Sequence, residues 1–276
     1  MRYNNAITKK HLEEPNMKKV LSVILAVVLL VSAVALVSCG KKEETKTLKV
    51  YTNAGFAPYE YVDENGKVVG VDIDVMNYIG EKLGYKVVIN DIEFKAILNE
   101  VQKDEFAVGA AGMSKNDERD AVALASEIYA TSVQYVIAPA GTFADGAIVS
   151  IADVVAYAAA EGKAIGDQEA TTGSFLVEDA VADTEVQQVN YTNAIVASTD
   201  IGTTLAAVVI DKLPAQSICS GKADLSCWEL DEEPESYVLY FNKNATELVK
   251  EVNELLKKMI ADGTIDQFTV NHSSGK

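Results

Sequence analysis

Short apolar runs alternate along the chain with longer stretches in which an apolar residue recurs every third or fourth position. Leu48-Lys49-Val50-Tyr51-Thr52 has the spacing of a first strand. Met76, Ile79 and Leu83 share one helical face, with Asp72 or Asp74 placed to cap the helix and Gly84 to stop it. A strand over Lys86 to Ile89, a helix over Lys95 to Gln102 and a strand over Phe106 to Ala111 follow. The same alternation returns later: helix Ile151 to Ala160, strand Lys163 to Asp167, a helix from about Ser174, strand Val186 to Tyr191 and the strongly apolar run Leu205 to Ile210. Both halves read as βα units with buried parallel strands. Glu247 to Ile260 forms a last amphipathic helix, stopped by Asp262-Gly263. No low-complexity linker separates the halves, so two lobes would be joined by strands.

One junction in this pattern carries chemistry. The segment GAAGMSKNDER, Gly109 to Arg119, passes from a small-residue strand through Gly112 into a polar run rich in helix N-caps. Backbone N–H groups, the Ser114 hydroxyl and the Arg119 guanidinium then converge on one point suited to an anion. The planar fork of arginine matches a carboxylate better than a lysine ammonium does.

The first 38 residues have the character of an export segment. Val20 to Val37 is an uninterrupted run of apolar or small residues behind Lys18 and Lys19, and Met17 makes a better start for it than Met1 does. Its end, Leu36-Val37-Ser38-Cys39-Gly40, resembles a bacterial lipobox. That resemblance implies that Cys39 is lipidated and becomes the first mature residue, with Lys41 to Lys46 as a charged tether. A permanent membrane helix is the competing reading of a run this long.

The chain carries a net charge of −17, and its first 38 residues hold five Lys/Arg against two Asp/Glu, which leaves −20 for the rest. So acidic a body argues against nucleic acid or anionic lipid as partner. With Cys39 set aside, Cys219 and Cys227 remain either as a disulfide across a short loop or as two unpaired thiols. The two histidines are His11, in the export segment, and His272, in the polar tail, so the folded body is expected to have none. Ser-His-Asp and Cys-His catalysis and the usual histidine-bearing zinc sites are thereby excluded.

Five stretches, in order, resemble the family 3 solute-binding proteins, the polar amino-acid receptors of ABC importers. They are LKVYTNAGFAPYEYVDENGKVVGVDIDVMNYIGEKLG, GAAGMSKNDER, QEATTGSF, LAAVVID and LLKKMIADGTID. The resemblance implies an α/β, two-lobed periplasmic-binding-protein-like fold of type II, with two crossover strands forming the hinge. The crossovers are expected near Ser132–Tyr135 and Glu235–Tyr237, with residues 47–132 and 237–271 in the first lobe and 133–236 in the second. Ligand would lie beyond the carboxyl ends of the strands.

By the same resemblance, Arg119 is expected to clamp the α-carboxylate of an amino acid, with Ser114 donating beside it. Gly112 would offer its carbonyl to the α-amino group. Thr171 and Thr172 would supply a hydroxyl and a backbone N–H to the carboxylate, although Ala170 stands where the family usually has glycine. Asp211 would pair with the α-ammonium. A zwitterion taken out of water needs both charges and saturating hydrogen bonds, and a cation and an anion from different lobes make the ligand the bridge that favours closure.

Phe56 and Phe94 are expected to wall the side chain. Asn53 is a neutral amide where members that bind cationic side chains tend to have aspartate, and an unpaired buried charge is costly. The expected ligand is therefore a free amino acid that is neutral and polar or sulfur-containing, unless Glu169 points inward. No cofactor, metal or catalytic residue is implied. The expected partner is an ABC permease, and the expected state is a monomer held at the outer face of the membrane through its N-terminal lipid alone. A sensory module for a separate membrane partner ranks second. A cyclohexadienyl-dehydratase-like enzyme ranks third, with Glu169 as its one nominee for proton transfer.

Overall fold

The structure, a computed structural model, describes residues 46–273. The export segment and Cys39 lie outside the described residues.

Two sheets carry the fold. The first has five strands in the order Lys86–Asp91, Thr47–Thr52, Ala107–Gly109, Tyr240–Phe241, Leu124–Ala125. Its first three strands are parallel, whereas Tyr240–Phe241 runs antiparallel to both of its neighbours. The second has six, in the order Gln188–Tyr191, Ala164–Gln168, Leu205–Asp211, Gln134–Pro139, Leu225–Leu230, Ile148–Val149. Here Gln134–Pro139 is antiparallel to the strands on either side. The sheets are therefore mixed, not wholly parallel as the βα periodicity suggests. The reversals fall on segments that follow crossovers, where no intervening helix obliges the chain to return in the same direction. Leu205–Asp211 is buried at all seven positions, as expected for a central strand covered on both faces.

Between the sheets, Ala130–Ser132 pairs antiparallel with Glu235–Tyr237, matching Ser132 to Glu235 and Ala130 to Tyr237. This two-stranded ribbon is the pair of crossovers; the first lies at Ala130–Ser132, ahead of the expected Ser132–Tyr135, because Gln134 and Tyr135 already belong to the second sheet's strand Gln134–Pro139. It brings residues more than 100 positions apart in the chain together at one edge of the cleft.

Helix Val71–Leu83 buries Val75, Met76 and Ile79 on the first sheet, and Gly84 ends it in the left-handed region at φ 74°. Neither proposed cap acts as one, because the N-cap is Gly70. Asp72 is buried inside the first turn, and Asp74 Oδ2 lies 3.0 Å from His272 Nε2. The segment expected as one helix from Lys95 is a 3-10 turn, Phe94–Ala96, followed by the helix Ile97–Val101.

Helix Thr246–Ala261 packs through Leu248, Val252, Leu256 and Met259, and Asp262-Gly263 interrupts it as expected. The chain then forms a further helix, Thr264–Ser273, anchored by Ile265. His272 sits in that helix, with Nδ1 3.0 Å from the Tyr61 hydroxyl. The folded body therefore does contain a histidine, remote from the cleft residues described below. Among the described residues no helix is long and apolar enough to cross a membrane.

Candidate functional site

Four strands end at one place. Thr47–Thr52 leads into Asn53, Ala107–Gly109 into Ala111 and Gly112, Ala164–Gln168 ends on Gln168, and Leu205–Asp211 ends on Asp211. All of these residues line one pocket, together with Phe56, Glu60, Phe94, Ser114, Arg119, Thr171 and Thr172. The carboxyl ends of strands in open α/β sheets are where ligands bind. All nine residues proposed from the sequence thus meet in one cavity. Its free volume is about 10 Å³, room for little more than one water.

Asn116 caps the helix Asp117–Val122, its side-chain oxygen accepting from the Arg119 N–H at 2.8 Å. That cap turns the Arg119 side chain inward, where it is only 6% exposed. Nη1 donates to the Ser114 carbonyl at 2.8 Å and Nη2 to the Ala170 carbonyl at 3.0 Å. The guanidinium also lies 5.2 Å from the centre of the Phe94 ring, within cation–π range. Burial lowers its pKa from the ordinary value, but an arginine remains a cation across the physiological range.

Gly112 has φ 53°, and a Cβ there would come within 2.7 Å of Phe56 Cε1. Glycine is therefore needed both for the backbone and for the ring beneath it. Its N–H donates to Asp72 Oδ2 at 2.9 Å, and the Tyr129 hydroxyl donates to Asp72 Oδ1 at 2.7 Å. Burial raises Asp72 to about 6 against these two stabilising bonds.

On the other side of the pocket, Thr171 caps the helix Thr172–Val181. Its hydroxyl accepts from Ser174 N at 3.1 Å and donates to the Gln168 carbonyl at 2.7 Å. Thr172 Oγ1 donates 2.8 Å to Glu235 Oε2, an oxygen that also receives the Ser114 hydroxyl. Gln134 Nε2 donates to Glu235 Oε1 at 3.0 Å. Glu235 thus gathers donors from three separate segments.

Asp211 stands at the N-cap position of the helix Lys212–Ser220 but makes no side-chain cap bond. Its carboxylate instead accepts from the Tyr237 hydroxyl at 2.7 Å. Burial, and then the negative Glu235, raise it to about 7.

Three features were not expected from the sequence. Glu60 is almost wholly buried in the pocket wall, and its Oε2 has no hydrogen-bond partner. Burial pushes its carboxyl well above the usual range, with Asp72 and Asp211 adding to the effect. Gln168 Nε2 donates 2.8 Å to Asn53 Oδ1, while Asn53 Nδ2 donates to the Ile92 carbonyl at 2.7 Å. The third is Glu235. Glu60 follows Tyr59 and precedes Tyr61 in a run that alternates like a half-exposed strand, so its inward direction is hidden locally. Glu169 does not line the pocket; it pairs with Lys95 at 3.0 Å on the rim.

Contacts therefore close the cleft from both sides: Arg119 to Ala170, Asn53 to Gln168 and Lys95 to Glu169. A buried arginine and a buried carboxyl group raised to about 7 share one small cavity, a fixed cation and an anion once Asp211 loses its proton, which together suit the two ends of a zwitterion. Among the described residues, no group of three or more His, Cys, Asp or Glu is placed to hold a metal ion.

Bacterial extracellular solute-binding proteins of family 3 match the chain over residues 48–272. A probable amino-acid ABC transporter-binding protein of Haemophilus influenzae is 26% identical, over 83% of this chain and 85% of its own length. The L-cystine-binding protein TcyA of Bacillus subtilis is 25% identical over 92% of this chain and 96% of its own. Among solved structures, an ancestral arginine-binding protein bound to arginine superposes with a TM-score of 0.73 at 29% identity, covering 82% of this chain and 97% of the other. With its two-lobed α/β fold and a cleft at the strand ends, the chain belongs to the family 3 extracellular solute-binding proteins, the amino-acid-binding components of ABC transporters.

Proposed function

We propose that this chain captures a free α-amino acid outside the cell and delivers it to the permease of an ABC importer. The observation that carries this is the meeting of Arg119 and Asp211, from opposite sides of the cleft, in one buried cavity of about 10 Å³. An amino acid cannot enter a space of that size, so binding requires the lobes to part and close again. The bodies that move are residues 47–132 with 237–271, and residues 133–236, about the ribbon of Ala130–Ser132 and Glu235–Tyr237. Arg119 takes the α-carboxylate with Ser114, Thr172 and the N-terminus of helix Thr172–Val181 beside it, and Asp211 takes the α-ammonium. Gly112 contributes its carbonyl to the ammonium, and Phe56 and Phe94 flank the side chain. In this reading the protein works as a monomer and is anchored by lipid on Cys39. Mass analysis of the mature N-terminus tests the anchor.

For the ligand side chain, Asn53 favours a neutral polar or sulfur-containing group, since its amide brings no charge and is already bonded to Ile92 and Gln168. One observation favours a second reading. Glu60 lines the same pocket, and its unpartnered Oε2 would gain most from a cationic group such as a guanidinium or ammonium.

Calorimetric titration with glutamine, cystine, arginine and lysine, after unfolding and refolding to remove any carried ligand, separates the two. Arginine or lysine binding that collapses in Glu60→Gln supports the cationic reading. Neutral ligands bound equally well by wild type and Glu60→Gln support the neutral one. Absence of binding by every amino acid would overturn the capture function itself.

A further inference from the structure

The six-stranded sheet carries a second cavity, away from the cleft. It is a solvent-open groove of about 250 Å³ lined by Tyr135, Gly146, Ile148, Gln216, Cys227 and Trp228, among others. Cys227 lies on the strand Leu225–Leu230, in register with Ile137. Cys219 lies in the last turn of the helix Lys212–Ser220, which packs on the same strand. Both thiols are free and half-buried. The Cys219 thiol hydrogen-bonds to the Cys227 sulfur, so the two are in contact across the turn formed by residues 221–224. Cys227 lines the groove, and Cys219 does not.

We propose that Cys227 and Cys219 form a redox-active pair: Cys227 is the point of attack on a low-molecular-weight disulfide entering the groove, and Cys219 resolves the adduct into an intramolecular disulfide. The hydrogen bond from Cys219 lowers the Cys227 thiol and raises that of Cys219, which gives the groove-facing sulfur the larger thiolate fraction. The Cys227 thiolate attacks one sulfur of R–S–S–R, and an RS⁻ leaves and takes up a proton. Cys219 then loses its proton to water and attacks the Cys227 sulfur, expelling the second RS⁻. Two protein thiols are oxidised to a disulfide and one small disulfide is reduced to two thiols, so electrons and atoms balance. The extracellular setting of the family is one in which such disulfides form and persist.

The bond would tie the C-terminal end of helix Lys212–Ser220 to the sheet. The other end of that helix follows Asp211, but no cleft residue is itself altered.

The reduced full-length chain is treated with oxidised glutathione and analysed by intact mass and tryptic mapping. Cleavage after Lys222 separates the two cysteines, and Cys39 is read on its own peptide. Wild type is expected to lose two hydrogens, with peptides 213–222 and 223–243 joined by a disulfide. Cys219→Ser should accumulate one glutathionyl group on Cys227. Cys227→Ser should modify Cys219 at least about tenfold more slowly, because Cys219 does not line the groove that admits the disulfide. Equal rates in the two variants, glutathionyl groups retained on both cysteines of wild type, or no reaction at either would each overturn the proposal.

Discussion

Binding of the ammonium should be coupled to a proton at Asp211. Burial and Glu235 hold that carboxyl at about 7 without ligand, yet it must be ionised to pair with an ammonium. At pH 6 roughly nine-tenths of the free protein then carries the proton, and removing it costs about 1.4 kcal/mol, a factor of about ten. Affinity should therefore be about tenfold weaker at pH 6 than at pH 8, and about a hundredfold weaker at pH 5. A bound ammonium pulls the pKa below this window, so close to one proton should leave per ligand bound near pH 6. Calorimetry in two buffers of different ionisation enthalpy counts that proton directly. Asp211→Asn should bind roughly 2–5 kcal/mol more weakly at pH 8 and lose the pH dependence. Affinity that stays flat from pH 8 to pH 5, or an Asp211→Asn variant with the wild-type slope, would refute the argument.

Other expectations follow from the same geometry. Burial raises the carboxyl groups of Asp72 and Asp211 to about 6 and about 7, so the stability they contribute is present below the unfolded carboxylate range and is lost as pH rises through about 6 to 7, and the raised Glu60 carboxyl acts in the same direction. The ligand-free unfolding midpoint should accordingly fall from pH 5 to pH 8, and fall less in Asp211→Asn, as read by calorimetric scans. Arg119→Lys should not restore what Arg119→Ala loses, about 2–5 kcal/mol of ligand binding, because an ammonium cannot replace the fork that now spans the Ser114 and Ala170 carbonyls. Ala170 is the sole non-glycine residue with positive φ among the described residues, at φ 64°. Replacing it by glycine should relieve about 1 kcal/mol of left-handed strain in the closed form and tighten ligand several-fold; unchanged affinity would mean that the strain persists in the open form.

Much of the fold is legible in local pattern. The runs at Thr47–Thr52 and Leu205–Asp211 and the face Met76-Ile79-Leu83 announce themselves, since burial on one or two faces imposes a period on the residues concerned. The clamp is legible for a similar reason: Gly112, Asn116 and Arg119 lie within eight residues and act as one turn and cap. What escapes local reading is whatever depends on distant segments. Glu235 is an ordinary strand carboxylate until Ser114, Gln134 and Thr172 arrive from elsewhere in the chain. The strands Leu124–Ala125 and Tyr240–Phe241 are two residues long, too short to show a period, and exist only because their neighbours supply partners. Asp72 looks like a helix cap because capping is the commoner use of an aspartate there, and only the approach of Gly112 and Tyr129 turns it inward.

The central claim is that one α-amino acid bridges Arg119 and Asp211. A thermal-shift panel of the common amino acids plus cystine, run in parallel on wild type, Arg119→Ala and Asp211→Asn, tests it most directly, because a ligand that binds only the folded state raises its midpoint. Wild type should be stabilised by at least one amino acid, and both variants should lose that shift. A wild-type shift that survives intact in either variant would place the ligand elsewhere and contradict the account.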